Sequence, residues 1–354
     1  MANLIRFENN DVVVDTQKVA VSTWTNNVNN LTTAFTSSTQ ANNTSATSSG
    51  AFRLDVFNAE TGSDGAEVQF SVAYGHRAGS SSFNFTNDVN GKGKSASGVT
   101  YAQYRNLIFG DNTISDFRFN DHTPNDIWII NVNRARYKHN LKPSTLNLFL
   151  SGSGSPDGTK GGAFGQIKLT DDSVTVTGSS VITNVGRQFN IVSGSDGQQS
   201  GSNLTQIEDS GSYGLFYPDA GFLILNGDAI AHAIGCSASR ADHTAPELNK
   251  LFNSIRNGQG GNTGYFIIDS EEKISSQFYF VRARNNEFNY TTNPSFIDDQ
   301  GNLNFVSMID NPKTFITTVG LYNDNGDLVA VAKISQPIAK DFTKEALIRV
   351  KLDY

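Results

Sequence analysis

The fold class of this chain follows from two stretches, Phe52-Arg53-Leu54-Asp55-Val56-Phe57 and Val68-Gln69-Phe70-Ser71-Val72-Ala73-Tyr74. In both, apolar and polar side chains alternate at period two, which is the pattern of a strand with one buried face. The connection between them contains Thr61-Gly62-Ser63-Asp64-Gly65, which is rich in turn-forming residues. The pair therefore predicts an antiparallel β-hairpin.

The composition extends this prediction to the whole chain. Hydrophobic residues make up 37% and charged residues 17% of 354 residues, and Gly, Ser, Thr and Asn fill the difference. The 24 Phe and 11 Tyr against two Met favour pleated surfaces over helices. Because the length exceeds one typical domain, we predict a mainly β protein with two or three β-sandwich-like or sheet-rich modules.

Local signals predict one well-defined amphipathic helix and a second hairpin. The helix spans about 244–257: Thr244 and Glu247 have the spacing of a capping box, and apolar residues follow at helical spacing. The hairpin joins 318–322 to 328–331 through Asn323-Asp324-Asn325-Gly326-Asp327, whose Asn-Gly favours positive φ. The pattern of Tyr101 to Phe109 fits either a strand or a short helix.

Polar tracts divide the chain into four predicted segments. Residues 1–50 are an N-terminal arm that ends in a flexible polar tract, with an extended loop or arm from Thr33 to Gly50. Residues 51–162 form a β-rich module that ends in a Gly/Ser/Pro-rich loop, and residues 163–243 form a second β-rich module. Residues 244–354 contain the helix and a C-terminal β-rich module.

Charge and cysteine content exclude several classes of function. The formal net charge is −7 and no Lys/Arg stripe interrupts the polar segments, so no nucleic-acid partner is expected. No apolar stretch approaches the roughly 20 residues of a membrane span, and Arg6 and Glu8 flank a very short apolar run, so neither membrane insertion nor a secretory signal is expected. The single cysteine, Cys236, fits folding in a reducing cytoplasm.

No residue pattern predicts catalysis, a cofactor or a metal ion. The five histidines lack the paired spacing of a metal site, and the Ser/Gly stretches lack the strand-turn-helix setting of a nucleophile elbow. The pairs Asp171-Asp172, Asp298-Asp299 and Asp324/Asp327 contain the carboxylates that a Ca²⁺ site or a glycosidase requires. Each lies in a turn-like segment, which favours a turn-capping role. We therefore expect no enzyme.

The segment from Phe278 to Pro294 is aromatic and Asn-rich and contains two arginines. Arg and Tyr are favoured at protein interfaces, so this segment is interpreted either as an assembly interface or as a strand that leads into a turn. The candidate interface residues, here and in the following hairpin, are Arg282, Arg284, Phe288, Tyr290, Phe315 and Tyr322.

The C-terminal block carries a resemblance to a known family. Residues 278–294, 308–324 (Met-Ile-Asp-Asn-Pro-Lys-Thr-Phe-Ile-Thr-Thr-Val-Gly-Leu-Tyr-Asn-Asp) and 345–354 (Glu-Ala-Leu-Ile-Arg-Val-Lys-Leu-Asp-Tyr) resemble virion structural proteins of large contractile-tailed phages, notably cyanophages of marine cyanobacteria. Residues 67–76 and 128–136 extend the resemblance more loosely.

The resemblance implies a structural component of a myophage tail, in or near the baseplate, that is synthesised in the host cytoplasm and mediates subunit assembly. It implies other tail and baseplate proteins as partners, several symmetry-related copies in a multiple of six, and no catalytic residue. The alternative is a receptor- or glycan-binding tail fibre or tailspike component. A bacterial contractile injection system remains a third alternative.

Overall fold

The computed structural model describes residues 4–28, 30–31, 53–79, 96–110, 116–120, 122–151, 166–175, 181–199, 212–230, 247–255, 264–291 and 293–354. The predicted arm from Thr33 to Gly50 lies outside these residues. The protein is mainly β, with 50% strand, 13% helix and three sheets, so the predicted fold class is confirmed.

The described strands are β1 (Val12–Ser22), β2 (Asn30–Leu31), β3 (Arg53–Phe57), β4 (Val68–His76), β5 (Asp126–Val132), β6 (Asn140–Leu141), β7 (Asn147–Ser151), β8 (Gln166–Asp171), β9 (Val181–Thr183), β10 (Gly186–Ser195), β11 (Gln198–Gln199), β12 (Gly214–Tyr217), β13 (Phe222–Asn226), β14 (Tyr265–Ile267), β15 (Asp269–Ala283), β16 (Thr314–Tyr322), β17 (Leu328–Lys340) and β18 (Ala346–Asp353). The described α-helices are α1 (Ala96–Phe109), α2 (Gly227–Ile230), α3 (Glu247–Ile255) and α4 (Ser307–Asp310). None of these helices has the length and apolar character needed to span a membrane.

The chain forms two compact units. The large unit comprises Val19–Glu272, and the small unit comprises Met1–Lys18 with Lys273–Tyr354. This division differs from the four segments predicted from the sequence, because one sheet of the large unit takes strands from all four of them. The four-segment division was predicted from local composition and stays a prediction. Local composition does not reveal which distant strands pair.

The large unit contains a curled, half-barrel sheet of twelve strands. The strand order is β2-β14-β7-β8-β10-β12-β13-β5-β4-β3, with β9 and β11 paired to β10. Neighbouring strands are antiparallel, and the predicted β3–β4 hairpin is confirmed, with Leu54 opposite Val72 and Val56 opposite Phe70. All four of these side chains are buried, because the alternating pattern places them on one face of the sheet.

Aromatic side chains fill the core on one face of this sheet. The rings of Trp24, Phe70 and Phe266 lie with centroids 5.0 to 5.9 Å apart in tilted or edge-to-face arrangements. The indole N–H of Trp24 donates to the carbonyl of Phe266 at 3.1 Å, so the buried ring also satisfies its polar atom.

Helix α1 packs on β4 and buries a second cluster with Tyr101, Ile108 and Phe117. It resolves the ambiguous segment from Tyr101 to Phe109 as a helix. The close approach occurs at Gly75, where an added Cβ would lie 3.0 Å from the backbone nitrogen of Tyr101. A side chain at this position of β4 would therefore displace the helix.

The predicted helix near 244–257 is confirmed as α3, with Leu251, Phe252 and Ile255 buried. The proposed capping residues Thr244 to Pro246 lie outside the described residues. Helix α1 is a second regular helix, in the segment that the sequence pattern left open between strand and helix.

The small unit is built on a sheet of strand order β1-β15-β18 and on the separate hairpin β16–β17. Strand β15 pairs with β18 in continuous register from Ser276 opposite Asp353 to Ala283 opposite Ala346. The predicted hairpin is confirmed as β16–β17, and Asn323 organises its turn by accepting hydrogen bonds from the amides of Asn325 and Asp327. Val319, Leu321 and Val350 form the buried centre, with Tyr279 and Val281 packed against it.

Candidate interaction surface

Exposed large apolar side chains are concentrated in the small unit. Between Phe288 and Tyr354 they are Phe288, Tyr290, Phe305, Val306, Ile309, Phe315, Tyr322, Leu328, Val329, Val331, Phe342, Leu347 and Tyr354. Single exposed apolar residues are ordinary, whereas contiguous patches mark binding surfaces. The arrangement of these residues on the strands therefore decides whether they form a surface.

The outer side of the β16–β17 hairpin forms one such patch, called here the hairpin face: Tyr322, Leu328, Val329 and Val331. Ala330 and Ala332 point into the core, so Val329 and Val331, which alternate with them, point outward. Gly320 lies opposite Val331, and a Cβ added to it would lie 3.0 Å from Tyr322 Cε2 and 3.2 Å from Leu328 Cδ1. Tyr322 and Leu328 thus lie over Gly320, and Val331 lies opposite it.

The outward position of Leu328 depends on an irregularity in the hairpin. The register shifts between Leu321 and Tyr322, so that Tyr322 lies opposite Leu328 although Leu321 lies opposite Ala330. Such a bulge places an extra residue on one strand and redirects the side chains beyond it. As a result the apolar surface extends to the turn.

A second surface, called here the basic strip, lies on the β15–β18 pair. It consists of Phe278, Phe280 and Arg282 on β15, which lie opposite Lys351, Arg349 and Leu347 on β18. The three cations and Leu347 are exposed, while the two phenylalanines are half-buried. Tyr279 and Val281 alternate with the β15 members and pack in the core, which shows that the strip faces outward.

Two of the three cations in the basic strip have no carboxylate partner among the described residues: Arg282 and Arg349. The third, Lys351, lies 3.0 Å from Asp353 Oδ1. The Ser276 hydroxyl and, secondarily, the Lys351 ammonium lower the pKa of Asp353 below its usual range. The Arg349 guanidinium carbon and Lys351 Nζ lie 5.4 and 5.9 Å from the Phe278 ring centroid, so both cations contact the ring.

All six interface residues predicted from the sequence are exposed residues of the small unit, and the structure assigns them to different places. Arg282 belongs to the basic strip and Tyr322 to the hairpin face. Arg284, Phe288 and Tyr290 lie in the loop after β15, where the Phe288 carbonyl accepts a hydrogen bond from the Thr314 hydroxyl. Phe315 adjoins that contact but lies roughly 20 Å along β16 from Tyr322. Whether the six residues bind a partner stays a prediction.

Hydrogen bonds from the side chain of Lys340, the last residue of β17, hold the loop after β15 in place. Its ammonium group is completely buried and donates to the carbonyls of Asn285 and Asp341, each at 3.0 Å, and to Asn289 Oδ1 at 2.9 Å. Three neutral oxygens therefore receive the three N–H groups of one buried cation. This contact presents Phe288 and Tyr290 on an ordered loop.

The interface residues predicted from the sequence do not include Val329, Val331, Arg349 and Lys351. A signal for them exists in the sequence, because Val-Ala-Val-Ala at 329–332 and Leu-Ile-Arg-Val-Lys-Leu at 347–352 both alternate at period two. The alternation does not reveal which face is buried in the first stretch, where both sets of side chains are apolar. Only the packing of Ala330 and Ala332 decides it.

The candidate carboxylate pairs serve the protein's own backbone and side-chain amides. Asp171 accepts hydrogen bonds from the amides of Ser144 and Ser173, and burial raises its pKa above the usual range. Its neighbour Asp172 instead accepts from the backbone and side-chain amides of Asn190, each at 2.9 Å. The two carboxylates thus bind different partners: the bond of Asp171 to Ser173 is the local contact that turn capping predicts, whereas Asp172 binds Asn190 on β10.

The other two pairs have the same character. Asp298 accepts from the amides of Gln300 and Asn302, and the Asn302 side chain is the main cause that lowers the pKa of Asp298. Asp327 accepts from the Asn323 side chain at 3.1 Å. Within the described ranges, no three His, Cys, Asp or Glu side chains group as a metal site would require.

One described histidine forms a close hydrogen bond with a carboxylate. His122 Nε2 lies 2.7 Å from Asp228 Oδ2, and both side chains are roughly one-third exposed. Asp228 lies in the first turn of α2, where the amides of Asp228 and Ala229 both donate to Asn226 Oδ1. The contact between His122 and Asp228 holds this short helix in place. The single cysteine, Cys236, and the histidines His232 and His243 lie outside the described residues.

Comparison of the chain with models of protein families, with curated proteins and with solved structures finds no match in any of the three.

Proposed function

We propose that this chain is a structural component of a bacteriophage contractile tail, located in or near the baseplate, where it joins neighbouring subunits. The hairpin face is the observation that carries the proposal. Its four side chains are 44% to 67% exposed. The largest exposed apolar patch of a protein often marks a site of interaction, so we take a protein partner as its complement.

Two further features support an assembly role. The hairpin that carries the surface is two strands wide, and its inner side is anchored by Val319 and Leu321 in the core of the small unit. The surface is therefore presented on a rigid β-ribbon, which suits a permanent contact between subunits. The resemblance of residues 278–354 to virion structural proteins points to the tail as the place of that contact.

The proposal is tested by locating the chain in the particle. Cryo-electron microscopy of intact virions should show it in or near the baseplate, in a multiple of six copies, with Val329 and Val331 buried against a neighbouring subunit. Finding it on the capsid would refute the baseplate location. Finding these valines exposed to solvent in the assembled tail would refute the role of the hairpin face.

A genetic experiment separates assembly from folding. The double substitution Val329→Asp/Val331→Asp should leave the far-UV circular dichroism and melting temperature of the purified protein nearly unchanged, because both side chains are exposed. Incorporation into particles should fall at least tenfold, since two carboxylates would then be desolvated at the contact. Ser335→Asp, an exposed position of the same strand, is the matched control and should be incorporated normally.

The glycan-binding alternative predicts a different result. Incubation of the purified protein with host polysaccharide should leave the polysaccharide intact and unbound if the function is structural. Retention of the protein on the polysaccharide, or release of oligosaccharide, would support the tail-fibre alternative and contradict the structural proposal.

A further inference from the structure

Strand β18 lies at one end of its sheet. The strand order is β1-β15-β18, and within the described part of the chain β18 forms ladder hydrogen bonds with β15 alone. Its other edge consequently presents a row of backbone N–H and C=O groups that have no strand partner among the described residues. Such an edge is a template for pairing with another extended chain.

The side chains of β18 determine which residue pattern suits a chain that pairs with this edge. Leu347, Arg349 and Lys351 point outward in the basic strip, whereas Ile348, Val350 and Leu352 pack into the core of the small unit. If another strand paired with β18, the side chains of every second residue of that strand would lie on the outward face, next to Arg349 and Lys351. The side chains of the alternate residues would lie on the inward face, next to Ile348, Val350 and Leu352.

From this arrangement we propose that the free edge of β18 binds an extended segment of a neighbouring protein in which acidic and apolar residues alternate. The acidic residues supply partners for Arg349 and Lys351, and the apolar residues extend the core beyond Val350. The inference rests on the proposed function only in taking the neighbour to be another tail protein, and it concerns a surface distinct from the hairpin face.

Charge also disfavours the simplest competing occupant, the β18 strand of a second copy. If two β18 strands paired edge to edge in a register centred between Arg349 and Lys351, these cations of one copy would approach those of the other. Like charges at neighbouring cross-strand positions oppose pairing. Cations on an edge strand are a common protection against this self-association. The edge is therefore selective for a chain of opposite charge.

Nucleic acid is a less suitable occupant. Single-stranded nucleic acids bind aromatic platforms through stacking on open ring faces. Here the Phe278 ring already contacts Arg349 and Lys351, and the whole chain has a net charge of −7, which repels a polyanion at long range. A short acidic peptide presents far fewer charges and also meets the apolar side of the edge.

The test measures binding of a fluorescein-labelled twelve-residue peptide in which Glu and Val alternate, by fluorescence anisotropy on the full-length protein. The block-ordered peptide of the same composition and an oligothymidylate are the competing probes. We expect the alternating peptide to bind at least tenfold more tightly than either. Arg349→Glu/Lys351→Glu should weaken it by about tenfold or more, from the loss of two cross-strand ion pairs. The matched control Lys333→Glu, at an exposed position of β17, should bind as the parent does.

Amide hydrogen exchange on the unmodified protein tests the strand-pairing part without a variant. Saturating alternating peptide should slow exchange in residues 346–353 at least tenfold and leave β16 unchanged. Equal affinity for the block-ordered peptide, or unchanged exchange in β18, would overturn the proposal. Stronger binding of oligothymidylate would assign the strip to nucleic acid instead. None of these results depends on where the chain lies in a particle, so they are independent of the test of the proposed function.

Discussion

Replacing Lys340 with methionine should locally destabilise the small unit. The Lys340 side chain has no exposed surface, and its ammonium donates three hydrogen bonds of 2.9 to 3.0 Å to Asn285, Asn289 and Asp341. Methionine retains most of the apolar stem but donates nothing. The carbonyl oxygens of Asn285 and Asp341 and the side-chain oxygen of Asn289 would then lose the hydrogen bonds that Lys340 donates.

The magnitude follows from two opposing contributions. Hydrogen bonds from a charged donor each contribute about 1.5–3 kcal/mol, which gives a gross gain of about 5–9 kcal/mol for three. Burial of the ammonium costs several kcal/mol, because no carboxylate contacts its nitrogen. We therefore expect Lys340→Met to lower the free energy of local opening of the small unit by about 2–4 kcal/mol.

The assay must report on the small unit alone. Both tryptophans, Trp24 and Trp128, lie in the large unit, so tryptophan fluorescence does not follow this change. Amide hydrogen exchange of residues 285–291 and 328–340 reports the change directly, because these residues surround Lys340 in the small unit. A loss of 2–4 kcal/mol corresponds to exchange that is faster by roughly 30- to 1000-fold. Lys333→Met, at an exposed position of the same strand, is the matched control and should change exchange by less than threefold.

Two results would refute this reasoning. Unchanged exchange in Lys340→Met would mean that the desolvation of the ammonium cancels its hydrogen bonds. Slower exchange would mean that an apolar side chain of this volume is preferred at the site, as happens for some buried ion pairs.

Three further predictions concern the large unit. Gly75→Ala should lower its free energy of unfolding by about 1–3 kcal/mol in urea titrations followed by tryptophan fluorescence, because the new Cβ would lie 3.0 Å from the Tyr101 nitrogen. Arg187→Met should cost about 1–2 kcal/mol by the same measurement, since Arg187 binds both oxygens of Asp219 at 2.6 to 3.2 Å. For Asp171, burial places the folded pKa above the ordinary 3.8, so the parent loses stability as pH rises from 3.8 through the raised pKa. Asp171→Asn should lack this loss, and a parent-minus-variant difference that does not fall between pH 4 and pH 7 would contradict the assignment.

Local patterns in the sequence predict much of the secondary structure, for identifiable reasons. The β3–β4 and β16–β17 hairpins carry period-two alternation and turn residues with a defined conformational preference, so each is specified within a short segment. Helix α3 has capping and spacing signals of the same local kind. Segment 101–109 has no such signal, and its helix is stabilised instead by packing on Gly75.

The candidate surface is predicted in part. The composition of Phe278 to Pro294 points to the small unit, and all six selected residues are exposed there. Their grouping is not predictable, because Arg282 and Tyr322 join different surfaces according to the partners of β15 and β16. The bulge in the hairpin decides that Leu328 lies beside Tyr322, since a one-residue slip exchanges the two faces of a strand.

The sequence by itself determines that this protein is mainly β, where its best-defined hairpins turn, and that its C-terminal block is rich in residues suited to interfaces. These properties depend on side chains a few positions apart, so local physics specifies them. Only the tertiary structure decides the twelve-strand order, the free edge of β18 and the outward direction of Val329, Arg349 and Lys351. Each of these depends on contacts between residues far apart in the chain, whose pairing is selected by the burial of the whole core.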